Sequence, residues 1–285
     1  MFPPSLRRRT YQSGLGRAAV GSPLSGYRAD VAGDIRVLIL GGTSEASALA
    51  RSLAASALDA DVVTSFAGRT SSPVLPPGRS RIGGFGGVGG LARYLTDERV
   101  DAVIDATHPF AALMPWNAEA ACTRLGVRRL RLLRPGWTAV PGDRWIRVPD
   151  LAAAADGLAA LGAARVLLTT GRQELEPFAG LSPTWFLLRS IEAPVVPVGM
   201  DADVLLVRPP FTVESELKLL CDHMIDCVVT KDSGGAATGA KLEAARHRGI
   251  PVVMVDRPPS PPGPTVSSAG AALGWLGGRH GAVVH

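Results

Sequence analysis

An apolar run broken by a glycine pair constrains this chain most: Arg36-Val-Leu-Ile-Leu-Gly41-Gly42-Thr43-Ser44-Glu45-Ala46. The unbroken apolar run suits a strand buried on both faces, as in a parallel sheet. The glycines then allow a tight turn, and the hydroxyl pair and acid open an alanine-rich helix. Exposed N–H groups and the dipole at a helix start favour a phosphate there. The full G-x-G-x-x-G spacing is absent, because Ser44 and Ala46 stand where later glycines would be expected. By itself the turn admits two readings, a nucleotide site and a purely structural strand-to-helix connection.

The same rhythm runs through the rest of the chain. Strand-like runs at 37–40, 61–65, 102–105 and 129–133 alternate with helical segments near 44–57, 89–98 and 110–125. A further strand at 145–148 follows the Pro135-Gly136 and Pro141-Gly142 interruptions. The pattern restarts with a helix at 152–161, strands at 166–169, 185–188, 203–207, 227–230 and 252–255, and helices near 213–223, 237–248 and 266–276. Strands alternating with helices predict βαβ units and an α/β protein with mostly parallel sheets. Two halves of similar length predict two Rossmann-like domains facing across a cleft, with ligands outside the carboxyl ends of the strands.

Composition excludes several classes. The net charge of +5 hints at nucleic acid, but residues 1–34 carry +3 of it and the remaining chain only +2. No dense basic stripe with interleaved aromatics appears, so nucleic acid is not an expected partner. No apolar run reaches the roughly 18–20 residues that span a bilayer, so no membrane partner is expected. Cys122, Cys221 and Cys227 form no C-x-x-C, and the five histidines are scattered, so no metal site is expected. An odd cysteine count without a secretory signal points to reduced thiols in the cytoplasm. Residues 1–33 lack periodicity and are expected to be a disordered extension.

Three further clusters fall at predicted strand ends. Ser65-Phe66-Ala67-Gly68-Arg69-Thr70 has no acid for a ribose 2′-OH, and Arg69 can instead pair with a 2′-phosphate, which favours NADPH over NADH. A solvated surface arginine is the plainer reading. Arg81-Ile82-Gly83-Gly84-Phe85-Gly86-Gly87 follows, either a flexible loop or backbone close to a flat ligand. Asp105-Ala106-Thr107-His108-Pro109-Phe110 offers a hydroxyl, and an imidazole that could donate a proton or simply pack; Pro109 can start the next helix. Thr230-Lys231-Asp232-Ser233-Gly234-Gly235 sets ammonium, carboxylate and hydroxyl side by side, with Lys241 and Glu243 on the following helix. It reads as an anion anchor, a proton-donor group, or a capped turn with a solvated salt bridge.

Taken in order, these motifs resemble the precorrin-6A reductase family of corrin (vitamin B12) biosynthesis. The resemblance runs from Leu38-Ile-Leu-Gly-Gly-Thr through Ala67-Gly-Arg69, Arg81-Ile-Gly-Gly84 and Asp105-Ala-Thr-His-Pro-Phe-Ala111. It continues through Arg134-Pro and Thr170-Gly171 to Lys231-Asp-Ser-Gly-Gly235, Pro251-Val-Val253 and Arg257-Pro258, about residues 35–277. It implies NADPH-dependent reduction of precorrin-6A to precorrin-6B, with an NADP-binding Rossmann-like domain at 34–148 and a second at 149–285 closing the substrate cleft. It implies a tetrapyrrole substrate, with other corrin-pathway enzymes as candidate partners.

On the matched positions, the resemblance implies that Gly41, Gly42, Thr43 and Ser44 hold the pyrophosphate and Arg69 the 2′-phosphate. Gly84, Thr107, His108 and Pro109 would line the path to the nicotinamide. Lys231, Asp232, Ser233 and Gly234 would close the cleft, the first three with His108 as candidate catalytic residues. The substrate's acetate and propionate groups suit Arg134, Arg172, Arg189 and Lys241. Two alternatives stay open: reduction of the cobalt-containing analogue, and a non-catalytic nucleotide- or tetrapyrrole-binding module.

Overall fold

The computed structural model describes residues 35–68 and 75–278. The extension expected at 1–33 and the candidate Arg69 lie outside the described residues.

Among the described residues, twelve strands form two six-stranded sheets in which every pairing is parallel. The first half contributes β1 (Ile35–Leu40), β2 (Ala60–Phe66), β3 (Arg79–Ile82), β4 (Ala102–Asp105) and β5 (Arg128–Leu132). The second contributes β6 (Trp145–Val148), β7 (Arg165–Leu168), β8 (Trp185–Ser190), β9 (Asp201–Leu206), β10 (Cys227–Lys231) and β11 (Val252–Val255), and β12 (Thr265–Val266) follows. The helices are α1 (Ser44–Ala54), α2 (Gly87–Asp97), α3 (Met114–Leu125), α4 (Leu151–Leu161), α5 (Val213–Asp222), α6 (Ala240–Arg248) and α7 (Ala269–Gly277).

Central strands are apolar throughout because helices cover both faces of each sheet. Successive residues of a strand point to opposite faces. Val37 and Ile39 of β1 accordingly pack with Leu49 and Leu53 of α1 and Leu276 of α7. Leu38 and Leu40 pack with Leu91 and Leu95 of α2 and Ala118 of α3. In the second sheet Val229 and Val253 join the core under α4, while Val228 and Val252 join the core under α5 and α6.

The strand orders are β3-β2-β1-β4-β5-β12 and β9-β8-β7-β10-β11-β6. Each is a Rossmann-like order, but the sixth strand of each sheet comes from the far side of the chain. Trp145–Val148 pairs with β11 in the second sheet, and Thr265–Val266 pairs with β5 in the first. Sheet membership therefore does not follow a single cut after residue 148: β6 belongs to the second sheet, and β12 with α7 returns to the first. Two segments cross between the sheets, residues 133–144 and 256–264.

Two local differences from expectation bear on the site. The Arg79–Ile82 segment is an edge strand paired to β2, although its charged, exposed sequence carries no strand signal. Helix α3 begins at Met114 with Pro115 in its first turn, not near Pro109, which leaves residues 106–113 as a loop beyond β4. No helix among the described residues is long and apolar enough to cross a membrane.

Candidate active site

The strand order reverses between β1 and β4 in one sheet and between β7 and β10 in the other, the places where open parallel sheets leave a crevice. A cavity of about 820 Å³ collects the carboxyl ends of both sheets. The first sheet gives it Gly84–Gly87 beyond β3 and His108 with Phe110–Met114 beyond β4. The second gives Thr169–Glu174 beyond β7, Arg189–Glu192 at the end of β8, and Lys231, Ser233 and Lys241.

At the β1 turn, Thr43 is engaged twice. Its Oγ1 accepts from the Ala46 amide at 3.2 Å, capping α1, and donates to the Ala106 carbonyl at 2.8 Å. Gly42 has φ +112°, and a Cβ there would meet nothing within 4 Å. The backbone is thus open in front of the turn, while the threonine hydroxyl is occupied in holding the β1 and β4 loops together.

Beneath the β4 loop lies a buried ion pair. Arg131 on β5 reaches Asp105 at 3.1 Å, and the two residues are register partners. The other Asp105 oxygen accepts from the Thr107 hydroxyl at 2.7 Å. The pair orients the loop that carries His108, whose Nδ1 accepts from the Phe110 amide at 3.2 Å. That leaves Nε2 of the neutral ring as the donor. Phe110 packs against the core of the second sheet, and its ring lies 5.4 Å from Lys231 Nζ.

On the opposite wall, Lys231 pairs with Glu174 at 2.9 Å and Arg172 with Glu192 at 3.1 Å. Arg189 is buried, paired with Glu216 and stacked over Phe211 at 4.2 Å. Lys241 is only 3% exposed. Its Nζ donates to the Thr238 carbonyl at 2.7 Å and lies 4.5 Å over the Trp137 ring. Burial, then the Arg189 charge, lower its pKa to about 7 against an opposing pull from Glu216. Thr170 Oγ1, also at the cavity, is buried without a partner among the described residues.

Of the residues selected from sequence, the cavity gathers Gly84, His108, Arg172, Arg189, Lys231, Ser233 and Lys241. Others have different work. Asp232, expected as catalytic, is 5% exposed, and its carboxylate accepts from the Trp137 amide and from Arg147, both at 2.9 Å. It anchors the first crossover to the second sheet, so its charge is spent in structure. Gly234, expected at the cofactor, packs on that crossover: a Cβ there would lie 2.0 Å from the Pro135 carbonyl oxygen. Arg134, expected on substrate, bridges Glu45 of α1 at 2.8 Å and the Ser233 carbonyl at 2.6 Å. Thus one guanidinium spans the two glycine turns, and it lies outside the cavity lining. Thr107 and Pro109 belong to the loop that carries His108, and neither they nor the Gly41–Ser44 turn line the cavity.

Sequence reasoning gave no role to Thr169 or to Thr170, which it quoted only within a motif, and missed Glu174, Glu192 and Phe211 as cavity residues. The first two follow β7 just as Gly41 follows β1, so the strand-end rule applies to them equally. The glutamates and Phe211 come from loops whose path no local pattern encodes.

Comparison with known proteins gives one consistent result. The precorrin-6x reductase CbiJ/CobK family matches residues 36–277. A precorrin-6A reductase of Rhodococcus erythropolis is 49% identical over 243 residues, covering 85% of this chain and 97% of its own. One of Rhodobacter capsulatus is 48% identical over 248 residues, covering 87% and 97%. The solved structure of CobK precorrin-6A reductase superposes with a TM-score of 0.79 at 48% identity, covering 85% of this chain and 96% of that one.

Proposed function

Because this chain belongs to the precorrin-6x reductase CbiJ/CobK family, we propose that it holds NADPH along the carboxyl ends of the first sheet and precorrin-6A in the 820 Å³ cavity against the second. The chain is an oxidoreductase of cobalamin biosynthesis that reduces a C=C bond of the macrocycle with a reduced nicotinamide cofactor. That membership sets aside the non-catalytic module. The cytoplasm, where thiols stay reduced, is its proposed location.

The observation that carries the reading is the meeting of both sheets' carboxyl ends in one cavity, glycine-rich on one wall and cationic on the other. The glycine wall suits a dinucleotide. Cβ atoms at Gly42, Gly83, Gly84, Gly86 and Gly87 would all meet open space. The Gly41–Ser44 backbone and the α1 N-terminus would take the pyrophosphate. Strand β2 ends beside this turn, with Gly41 N–H donating to the Ser65 carbonyl at 2.8 Å. No carboxylate follows through Gly68, while Arg81 sits at the same edge, donating to Ser65 Oγ at 2.9 Å. A 2′-phosphate fits there better than a bare ribose hydroxyl, with Arg69 as its partner.

When bound, the dihydronicotinamide supplies the hydride. The protein's part is alignment and exclusion of water. Arg172 and Lys231 would exchange their glutamates for substrate carboxylates, and Thr170 would give its free hydroxyl to the macrocycle edge.

Anaerobic spectrophotometry tests the activity: NADPH oxidation with precorrin-6A, beside the cobalt analogue. Turnover of neither would overturn the substrate reading, and faster turnover of the cobalt analogue would reverse the choice between them. For the cofactor, Arg69→Ala should weaken NADPH binding by roughly 1.5–3 kcal/mol, as for a charge-assisted contact, and leave NADH binding nearly unchanged. Equal losses for both in calorimetry would remove Arg69 from the 2′-phosphate.

A further inference from the structure

Reduction of a C=C bond needs a proton as well as a hydride, and most cations at the cavity are committed to carboxylates. Lys231 is tied to Glu174, Arg172 to Glu192 and Arg189 to Glu216. His108 stands on the glycine-rich wall, the side of the proposed nucleotide. Lys241 differs from all of these. It lines the cavity at the start of α6 and has no carboxylate within ion-pair distance among the described residues. Its hydrogen bond to the Thr238 carbonyl uses one of three ammonium protons.

The surroundings favour release of one of them. The charged groups facing Lys241 are Arg189 from β8 and Glu216 from α5. They are bonded to each other, and Glu216 keeps one oxygen buried and unpartnered among the described residues. Trp137 and Phe211 supply aromatic walls. Two buried cations thus share one carboxylate, and loss of a proton from Lys241 relieves the imbalance. The lysine also belongs to the second sheet's half, whereas Gly84–Gly87 of the same cavity belong to the first.

We propose that Lys241 is the proton donor to the macrocycle, acting from the wall opposite the nucleotide; the assignment rests on the reduction of precorrin-6A set out above. In the step, one Nζ–H bond breaks and the π pair of the C=C bond forms a C–H bond to that proton. The adjacent carbon receives the hydride with its electron pair. NADPH leaves as NADP⁺, Lys241 is left as a neutral amine, and water returns its proton.

The test uses single turnover of the full chain with NADPH and precorrin-6A across pH, for wild type, Lys241→Met, Lys241→Arg and Glu216→Gln. A general acid must be protonated to act, so the wild-type rate should fall as pH rises through about 7. Lys241→Met should lose this limb and about 10²–10⁴-fold in rate, the span of acid–base catalysis, with NADPH and precorrin-6A affinities kept within a few-fold. Lys241→Arg keeps the charge and guards against a folding failure in the methionine variant; it should bind substrate yet remain slow at every pH. Glu216→Gln removes the group that raises the lysine's pKa and should move the limb to lower pH. Acetylation of Lys241 in the unliganded protein, followed by mass spectrometry, should show a midpoint near 7 as well.

Persistence of the limb in Lys241→Met, near-wild-type turnover in Lys241→Arg, or an acetylation midpoint at the ordinary lysine value would each overturn the assignment. So would a loss of precorrin-6A affinity with the single-turnover rate intact, which would make Lys241 a carboxylate anchor. Absence of turnover in the wild type at every pH would instead refute the underlying reductase reading, and the acetylation midpoint, which needs no turnover, tells the two failures apart.

Discussion

Gly234→Ala separates a structural glycine from a cofactor-binding one. Its φ of +67° lies in the left-handed region, which costs an L-residue about 1–2 kcal/mol. The added Cβ would stand 2.0 Å from the Pro135 carbonyl oxygen and 2.9 Å from Arg257 Nη2. Contact at ordinary distance needs more than an ångström of movement in a segment already fixed by Arg257, which donates to the Asp232 and Arg134 carbonyls at 2.7 and 2.9 Å. Forcing atoms into so tight a place costs about 1–3 kcal/mol more. The sum, roughly 2–5 kcal/mol, should lower the melting temperature by about 5–15 °C in a domain of this size. Gly42→Ala is the counterpart, since its φ of +112° is also strained but its Cβ meets nothing. It should weaken NADPH binding about tenfold, near 1.4 kcal/mol, with the smaller loss of stability. Calorimetric melts and NADPH titrations on both variants decide the matter. A Gly234→Ala protein that melts within about 2 °C of wild type, or that loses NADPH affinity as Gly42→Ala does, would refute the packing argument.

Two further outcomes follow from the same geometry. Lys231→Met should reduce turnover at least tenfold while the melting point barely moves, because the partner Glu174 is 65% exposed and such pairs contribute at most about 1 kcal/mol; parallel kinetics and melts check this, and a matching fall in both makes the residue structural. A thiol reagent at about pH 8 should modify Cys221 alone in the native protein, since Cys122 and Cys227 are buried and burial pushes their thiols up to about 11 and about 12; all three should react in denaturant, and a second fast native thiol would contradict the burial.

The strand–turn–helix alternation, the parallel sheets and the positions of the glycine turns were readable from residues alone. Apolar runs such as Val37–Leu40 suit only a strand covered on both faces, and that burial forces helices onto each side. The strand-end rule then led to His108, Arg172, Arg189 and Lys231, all at the cavity, and the helix after the Lys231 turn to Lys241. Local chemistry could not say how each side chain is used. Asp232 and Ser233 are neighbours in sequence, yet one is bonded to the crossover and the other lines the cavity, which depends on how the turn beyond β10 is packed.

What only the tertiary structure decided concerns long-range pairing. Arg79–Ile82 becomes a strand because the edge of β2 offers it hydrogen bonds, and Thr265–Val266 because β5 does, although neither segment has an apolar pattern. The exchange of β6 and β12 between the sheets brings residues 133–144 and 256–264 across the molecule, and these crossings claim Arg134, Asp232 and Gly234 for structure. The same assembly desolvates Lys241 beside Arg189, residues 52 positions apart. Residue type specifies which groups can carry charge or donate hydrogen bonds. Only the packed fold determines which of them have already been satisfied by a neighbour and which are left to meet a ligand.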